Sequence, residues 1–103
     1  MQKTLRHLVL CAYRDGTTAG QQAEIAAGFA GLKTLIAQVR HVEGGENVSP
    51  ENLNQGYTHC FRLDFDDAAG RDVYLTHPDH LAFVDILKPH LAQILVLDYW
   101  TGE

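Results

Sequence analysis

The sequence predicts an α+β domain in which one four-stranded antiparallel sheet carries its helices on one face. Three observations support this prediction. Apolar and polar side chains alternate over 57–65, which is typical of a strand with one buried face. Apolar residues recur at helical spacing over 25–36, and short apolar runs suited to strands lie at 5–13 and 93–100. The 103 residues, of which 46% are hydrophobic, have room for one domain, 1–103.

The first strand and the first helix follow from local signals. The strand at 5–13 ends at Arg14-Asp15-Gly16, which is a turn sequence. A threonine at 17–18 can cap the helix that follows. Gly28 and Gly31 lower the helix propensity of this segment. We therefore expect both glycines to allow close packing against a neighbouring backbone.

The remaining elements are identified by changes in the spacing of apolar residues and by the positions of glycine and proline. Asp66 and Asp67 stand where negative charge favours the start of a helix, and Pro78 interrupts that helix. The other predicted elements are a strand at 39–43 ending at Gly44-Gly45, a loop at 47–56, a strand at 57–65, helical segments at 68–76 and 79–87, and a strand at 93–100. Together with the first two, they give the ferredoxin-like order βαββαβ.

Both faces of the first and last strands are apolar. The helices can cover only one face of the sheet, and a sheet whose other face meets water should alternate apolar with polar residues. Without a cover, the second face would expose a large apolar patch. We therefore expect a homodimer packed sheet on sheet with two-fold symmetry. The residues predicted to form its interface are Leu8, Leu10, Leu95, Leu97 and Tyr99.

Polar groups are predicted to converge on the helix-facing side of the sheet. The alternation assigns His7, His59 and Asp98 to that side, and the second helix brings Tyr74 and His80 to the same layer. Imidazole titrates near neutrality and serves as acid, base or ligand. A buried Asp98 needs a partner, and a neighbouring imidazole would provide one and would have its tautomer fixed. The residues of this side that are predicted to line a substrate-binding pocket include His59, Asp98, Val9 and Phe61. For His59 the alternative is a core role, which is more common for a histidine on an apolar strand face.

Composition and charge exclude several classes of partner. The formal net charge is −5 and no Lys/Arg cluster occurs, so we expect no nucleic-acid surface. No apolar run approaches the roughly 20 residues that span a bilayer. The segment 1–6 lacks the hydrophobic stretch of a signal peptide, so we expect a cytoplasmic protein. Cys11 and Cys60 lie in apolar strands and are expected to be buried free thiols.

No metal or cofactor is expected. His77 and His80 are three residues apart, a spacing that permits metal binding on a helix, but no third ligand of strong type lies near them in sequence. We expect His77 to bond backbone groups near the break at Pro78 instead. No recognisable motif for haem or flavin is present.

Four short motifs are spread along the chain: His7-Leu8-Val9-Leu10, Gly56-Tyr57-Thr58-His59, Tyr74 followed by His77-Pro78-Asp79-His80, and Leu97-Asp98-Tyr99. Together they resemble the stress-responsive dimeric α/β-barrel (Dabb) domain proteins, over almost the whole chain. The resemblance implies a ferredoxin-like fold whose dimer closes into a barrel. This agrees with the two apolar faces of the first and last strands.

The resemblance also implies candidate catalytic residues. One enzyme of that family cyclises a linear tetraketide by an aldol condensation. Its catalytic histidine and tyrosine match His80 and Tyr74, and a first-strand histidine matches His7. The resemblance also places Phe29 in the pocket, where that enzyme has a tyrosine, so one polar contact is missing here. Other members of the family are described as stable oligomers without chemistry, and likeness of fold does not choose between the two.

Two functions therefore remain open. In the first, the protein is a cofactor-free enzyme acting on a small apolar organic molecule, with His80 as base and Tyr74 as hydrogen-bond donor to an enolate. In the second, the same two residues satisfy backbone groups freed at Pro78, and the protein is a non-catalytic stress-responsive or ligand-binding protein. An open, concave pocket favours the first, and a pocket filled with side chains favours the second.

Overall fold

The computed structural model describes residues 3–102 and has the predicted ferredoxin-like fold. Met1, Gln2 and Glu103, which the predicted domain 1–103 includes, lie outside the described residues, as does the start of the segment 1–6. The strands are β1 (Leu5–Tyr13), β2 (His41–Glu46), β3 (His59–Phe65) and β4 (Leu91–Trp100), and the helices are α1 (Ala19–Leu35), α2 (Ala68–Thr76) and α3 (Pro78–Leu87), with a short 3-10 turn at Lys88–His90. All neighbouring strands are antiparallel, in the order β2-β3-β1-β4. Over residues 3–102, no helix combines the length and the apolar character needed to cross a membrane.

Helix α1 is capped as its sequence predicts. The Thr18 hydroxyl accepts the backbone N–H of Gln21, and the Gln21 side-chain oxygen accepts the backbone N–H of Thr18. Gly28 lies against α3, where an added Cβ would come within 2.3 Å of Phe83 Cε1. Close packing is therefore confirmed for Gly28, but its neighbour is the Phe83 ring and not the backbone that was expected. The expectation is wrong for Gly31, because an added Cβ there would meet nothing within 4 Å.

Pro78 separates two helices, as predicted, but it begins the second one instead of lying between them. As the first residue of α3 it loses no helical hydrogen bond, since that position has no intrahelical partner for an N–H. Asp67 caps α2 by accepting the N–H of Gly70 at 2.7 Å. His77 caps α3, because its Nδ1 accepts the N–H of Asp79 at 3.1 Å. The prediction that His77 bonds the backbone at the break is confirmed.

Strand β2 differs from the predicted strand at 39–43, because it contains the two glycines that were expected to end it. Gly44 pairs with Phe61 of β3, and an added Cβ would lie 2.4 Å from the Phe61 ring and 2.8 Å from the Cys60 carbonyl oxygen. Glycine is therefore required for the close approach of the two strands. Strand β3 starts at 59 where 57 was predicted, and β4 starts at 91 where 93 was predicted.

The two faces of the sheet differ as the alternation predicts. On β1, His7 and Val9 are buried beneath the helices. On the opposite face the apolar residues of β4 are open, and Leu97 is 46% exposed. The helix-facing side of β4 is also open, and Val96 is 51% exposed, because β4 is an edge strand and the helices pack towards β2 and β3. A cavity therefore opens between β4 and the helices.

Candidate active site

An apolar cavity of about 370 Å³ lies between α2 and α3 on one side and β1 and β4 on the other. A cavity of this volume is suited to a small organic molecule. Three of its polar side chains belong to residues that the sequence singled out, and they come from β1, α2 and α3. The lining residues are His7, Val9, Phe29, Tyr74, Leu75, His80, Phe83, Val84, Leu87, Lys88, Leu91, Ile94 and Val96.

Tyr74 and His80 lie side by side in the wall of the cavity, with their ring centroids 4.1 Å apart. His80 Nδ1 lies 3.2 Å from the Leu75 carbonyl oxygen, and a carbonyl can only accept, so Nδ1 carries the hydrogen. In neutral His80 the lone pair is therefore on Nε2. Within residues 3–102, neither His80 Nε2 nor the Tyr74 hydroxyl forms a hydrogen bond. The pair thus presents one free acceptor and one free donor.

Burial shifts the pKa of both Tyr74 and His80, and both shifts favour the protonation state that proton transfer at neutral pH requires. Tyr74 is only 1% exposed, and this burial raises the pKa of its phenol, so the hydroxyl remains a donor at neutral pH. Burial also lowers the pKa of His80, and this outweighs the hydrogen bond to the Leu75 carbonyl, which acts in the opposite direction. Charge on His7 or His77 lowers the pKa of His80 further. At neutral pH, His80 is therefore an uncharged base.

His7 also packs against the Tyr74 ring, with centroids 5.8 Å apart. Its Nδ1 is 2.6 Å from Asp98 Oδ1, across the β1–β4 pairing. Asp98 Oδ2 in turn accepts a hydrogen bond from Arg71 Nη1 at 2.9 Å. Asp98 therefore has the imidazole partner that its burial was predicted to require, but it does not line the cavity itself.

Two further residues predicted to line the pocket are placed elsewhere. His59 pairs with Cys11, four residues along β1 from His7, which is about 13 Å at the rise of a strand. At that position its ring packs against the Tyr13 ring, with centroids 5.0 Å apart. Phe61 lies behind Phe29, with the two rings stacked at 4.0 Å. For His59 and Phe61 the expectation of a place in the cavity wall is wrong, whereas Val9 and Phe29 do line it.

Sequence reasoning did not identify several residues that build the site. Arg71 was not singled out, although the need of Asp98 for partners was a signal that some cation lies near it. Phe83 and Leu87 of α3 form part of the apolar wall of the cavity. Their helical spacing alone indicated only that they lie on a buried face. The Leu75 carbonyl oxygen, which fixes the His80 tautomer, left no signal in the sequence.

Other chemistries find less support in the described residues. Over residues 3–102, no group of three or more His, Cys, Asp or Glu side chains is arranged to hold a metal ion. Cys11 is buried and Cys60 is partly buried, and both are free. Burial raises the pKa of both thiols, which favours the unreactive protonated form.

Two known proteins match almost the whole chain. Protein HS1 of Arabidopsis thaliana, a stress-response A/B barrel domain-containing protein, is 36% identical over 95 residues, which cover 92% of this chain and 87% of that protein. Olivetolic acid cyclase of Cannabis sativa is 27% identical over 95 residues, which cover 92% of this chain and 94% of the cyclase.

Solved structures show the same fold. The crystal structure of At3g17210 from Arabidopsis thaliana superposes with a TM-score of 0.93 at 34% identity, covering 96% of each chain. Hydroxynitrile lyase from Passiflora edulis has a TM-score of 0.93 at 24% identity, covering 100% of this chain and 97% of the lyase, so it shares the fold. The family model for the stress responsive A/B barrel domain matches residues 5–101. With nearly the whole chain matched, the protein belongs to the stress responsive A/B barrel (Dabb) domain family.

Proposed function

We propose that this protein catalyses cofactor-free acid–base chemistry on a small carbonyl compound bound in the apolar cavity. His80 is the general base, and Tyr74 is the hydrogen-bond donor to the enolate that forms. The observation that carries the proposal is the adjacency of the Tyr74 and His80 rings in a largely apolar wall, with neither the Tyr74 hydroxyl nor His80 Nε2 hydrogen-bonded within residues 3–102.

The chemistry follows from the protonation of the two groups. A carbon-bound proton next to the carbonyl moves to His80 Nε2, which becomes an imidazolium. The electron pair of the broken C–H bond moves onto the carbonyl oxygen, and Tyr74 stabilises the resulting enolate by donating a hydrogen bond. The enolate carbon then attacks a second carbonyl carbon of the same molecule, and the oxygen of that carbonyl, which receives the electron pair of the broken C–O π bond, takes the proton back from the His80 imidazolium. Alternatively, the enolate takes this proton from His80 at a new carbon position. The first outcome is a cyclisation and the second an isomerisation.

The family supports this reaction class. Olivetolic acid cyclase, by its name, forms a ring in a small organic molecule, and it matches this chain over almost its whole length. The fold also accommodates a hydroxynitrile lyase. Neither name fixes the substrate of this protein, and the proposal extends only to small molecules whose reaction begins with removal of an acidic proton.

The proposal includes a homodimer formed through the open face of the sheet. Leu95, Leu97 and Tyr99 are 38%, 46% and 45% exposed on adjacent alternate positions of β4, and Leu8 and Leu10 pair with Leu97 and Leu95 across β1 and β4. A continuous apolar surface of this kind marks an interaction site. A solved structure 26% identical to this chain, covering 93% of it with a TM-score of 0.82, is described as a dimeric ferredoxin-like protein from Jannaschia sp. CCS1.

A non-catalytic ligand-binding role is the second candidate. The cavity wall is dominated by apolar side chains, as it would be in a protein that only holds an apolar ligand. In that case Tyr74 and His80 would orient the ligand without moving a proton. The two candidates differ in whether bound carbonyl compounds exchange protons with water.

Hydrogen–deuterium exchange tests the proposal without knowledge of the full reaction. The protein is incubated in D₂O with a panel of ketones, β-diketones and β-keto thioesters bearing apolar chains, and loss of the α-proton signal is followed by NMR. We expect accelerated exchange for at least one compound. His80→Ala should slow that exchange about 10²–10⁴-fold, the usual contribution of a general base. Tyr74→Phe should cost less, because it removes one donor and keeps the ring.

The matched control is His41→Gln, because His41 is an exposed histidine whose Nε2 lies 3.5 Å from Glu43 Oε1, away from the cavity. This variant should exchange at the rate of the unmutated protein. If folded His80→Ala also exchanges at that rate, the catalytic role of His80 is wrong. If ligands bind and none exchanges, the non-catalytic candidate is correct.

A further inference from the structure

We propose that Arg71 is a positioning residue that acts through Asp98 to keep His7 as a hydrogen-bond acceptor towards the cavity. The catalytic meaning of this inference rests on the proposed function, but the arrangement itself is a property of the protein without ligand. Arg71 belongs to α2, Asp98 to β4 and His7 to β1, so the chain of contacts joins three elements around the cavity.

The two oxygens of Asp98 are each engaged by a different donor. Oδ1 is 2.6 Å from His7 Nδ1, and Oδ2 accepts from Arg71 Nη1 at 2.9 Å. The Asp98 side chain is 21% exposed, so it is near enough to solvent to turn outward if one of these contacts is lost. The second donor therefore fixes the rotation of the carboxylate that faces His7.

Arg71 is itself held in place on the surface of α2. Its Nε donates to Asp72 Oδ1 at 3.0 Å, which leaves Nη1 for Asp98. The guanidinium thus bridges two carboxylates, and both hydrogen bonds raise the pKa of Arg71, so its charge is retained at any physiological pH. This charged guanidinium donates to Asp98 Oδ2, and a carboxylate in such an ion pair can only accept hydrogen bonds.

The consequence for His7 is a fixed tautomer. Because Asp98 can only accept, Nδ1 of neutral His7 carries the hydrogen and Nε2 has the lone pair. His7 lines the cavity, and Nε2 forms no hydrogen bond within residues 3–102. With the opposite tautomer, His7 would offer an N–H to the cavity and compete with Tyr74 as donor. Arg71 thereby sets the polarity of one wall of the site.

Nitrogen NMR of labelled histidine tests this directly. Long-range ¹H–¹⁵N spectra are recorded at about pH 8.5, well above the ordinary histidine pKa of about 6.5, and the His7 signals are assigned by their loss in His7→Gln. In the unmutated protein we expect a protonated Nδ1 and a bare Nε2. Asp98→Asn should reverse the two shifts, because an amide can donate to Nδ1. Arg71→Met should move both shifts towards the opposite tautomer, and Arg71→Lys should restore them in part.

Arg40→Met is the matched control, since Arg40 pairs with Asp66 on the surface and does not line the cavity. It should leave the His7 shifts unchanged. Should Arg71→Met fail to fold, Arg71→Leu, which also has no N–H donor and no charge in its side chain, replaces it. Unmutated shifts in the folded Arg71 variant, or a protonated Nε2 in the unmutated protein, would overturn the inference. The measurement needs no substrate, so its result is independent of the exchange assay for the proposed function.

Discussion

Replacing Gly28 with alanine should disturb the cavity wall, whereas the same change at Gly31 should not. The two glycines lie one turn apart in α1, so both substitutions gain the same helix propensity, about 1 kcal/mol. Their surroundings differ. An added Cβ at Gly28 lies 2.3 Å from Phe83 Cε1, and at Gly31 it meets nothing within 4 Å.

The magnitude follows from that contrast. Phe83 must move by roughly 1 Å before the contact reaches an ordinary van der Waals distance, and its ring is enclosed by Phe29 at 4.7 Å between centroids. Overpacking of this kind costs about 1–3 kcal/mol. Because the propensity gain cancels between the two variants, the difference in their free energies of unfolding isolates the clash. Gly31→Ala should be stabilised by up to about 1 kcal/mol, and Gly28→Ala should be less stable than Gly31→Ala by about 1–3 kcal/mol.

Thermal and urea unfolding of both variants at one protein concentration measures this difference. For a domain of this size, 1 kcal/mol corresponds to about 4–8 °C in Tm. Phe83 also lines the cavity, so Gly28→Ala should alter the affinity for any compound identified by the exchange assay, and Gly31→Ala should leave it unchanged. Equal stability and equal affinity of the two variants would refute the packing argument.

Two further predictions concern assembly and pH. Leu95→Asp would place an unpaired carboxylate between two sheets, so light scattering should show loss of the dimer. The control Leu81→Asp, at an exposed position near the start of α3, should leave the dimer intact. A folded monomer for the unmutated protein would contradict the dimer. Because the pKa of His80 is lowered on folding, the unfolded chain takes up its proton first, so the stability due to His80 is complete above about pH 6.5 and decreases as the pH falls below that value. His80→Gln should remove this part of the pH dependence in unfolding experiments. For the same reason, the rate at which the unmutated protein exchanges the α-proton of a bound carbonyl compound should persist at pH 6.5 and decline only at lower pH. A decline that begins above pH 7 would contradict a lowered pKa of His80.

The fold was accessible from the sequence because its signals are local. Alternation over 57–65 and along β1 reports which side chains share a face, since successive residues of a strand point to opposite sides. This was sufficient to place His7 and Val9 beneath the helices and Leu97 on the open face. The helix break near Pro78 also follows from the chemistry of one residue.

Position along a strand is a different matter, and here the predictions for His59 and Phe61 were wrong. Alternation assigns a side chain to a face, but only strand pairing says which end of the sheet it occupies. His59 pairs with Cys11 and thus lies four residues from the level of His7. Phe61 is on the correct face and at the correct level for the core, yet Phe29 stands between it and the cavity.

By itself, the sequence determined the elements, their order and the two faces of the sheet, because backbone preference and side-chain period act over a few neighbouring residues. It also supplied His7, Tyr74 and His80 as the polar residues of the helix-facing layer. Only the tertiary structure decided that Arg71 reaches Asp98 across 27 positions of sequence, and that the Leu75 carbonyl fixes the tautomer of His80. The cavity itself depends on β4 lying at the edge of the sheet, beyond the reach of the helices. The position of Asp98 and the opening of the cavity are set by strand order and register, which no local pattern encodes.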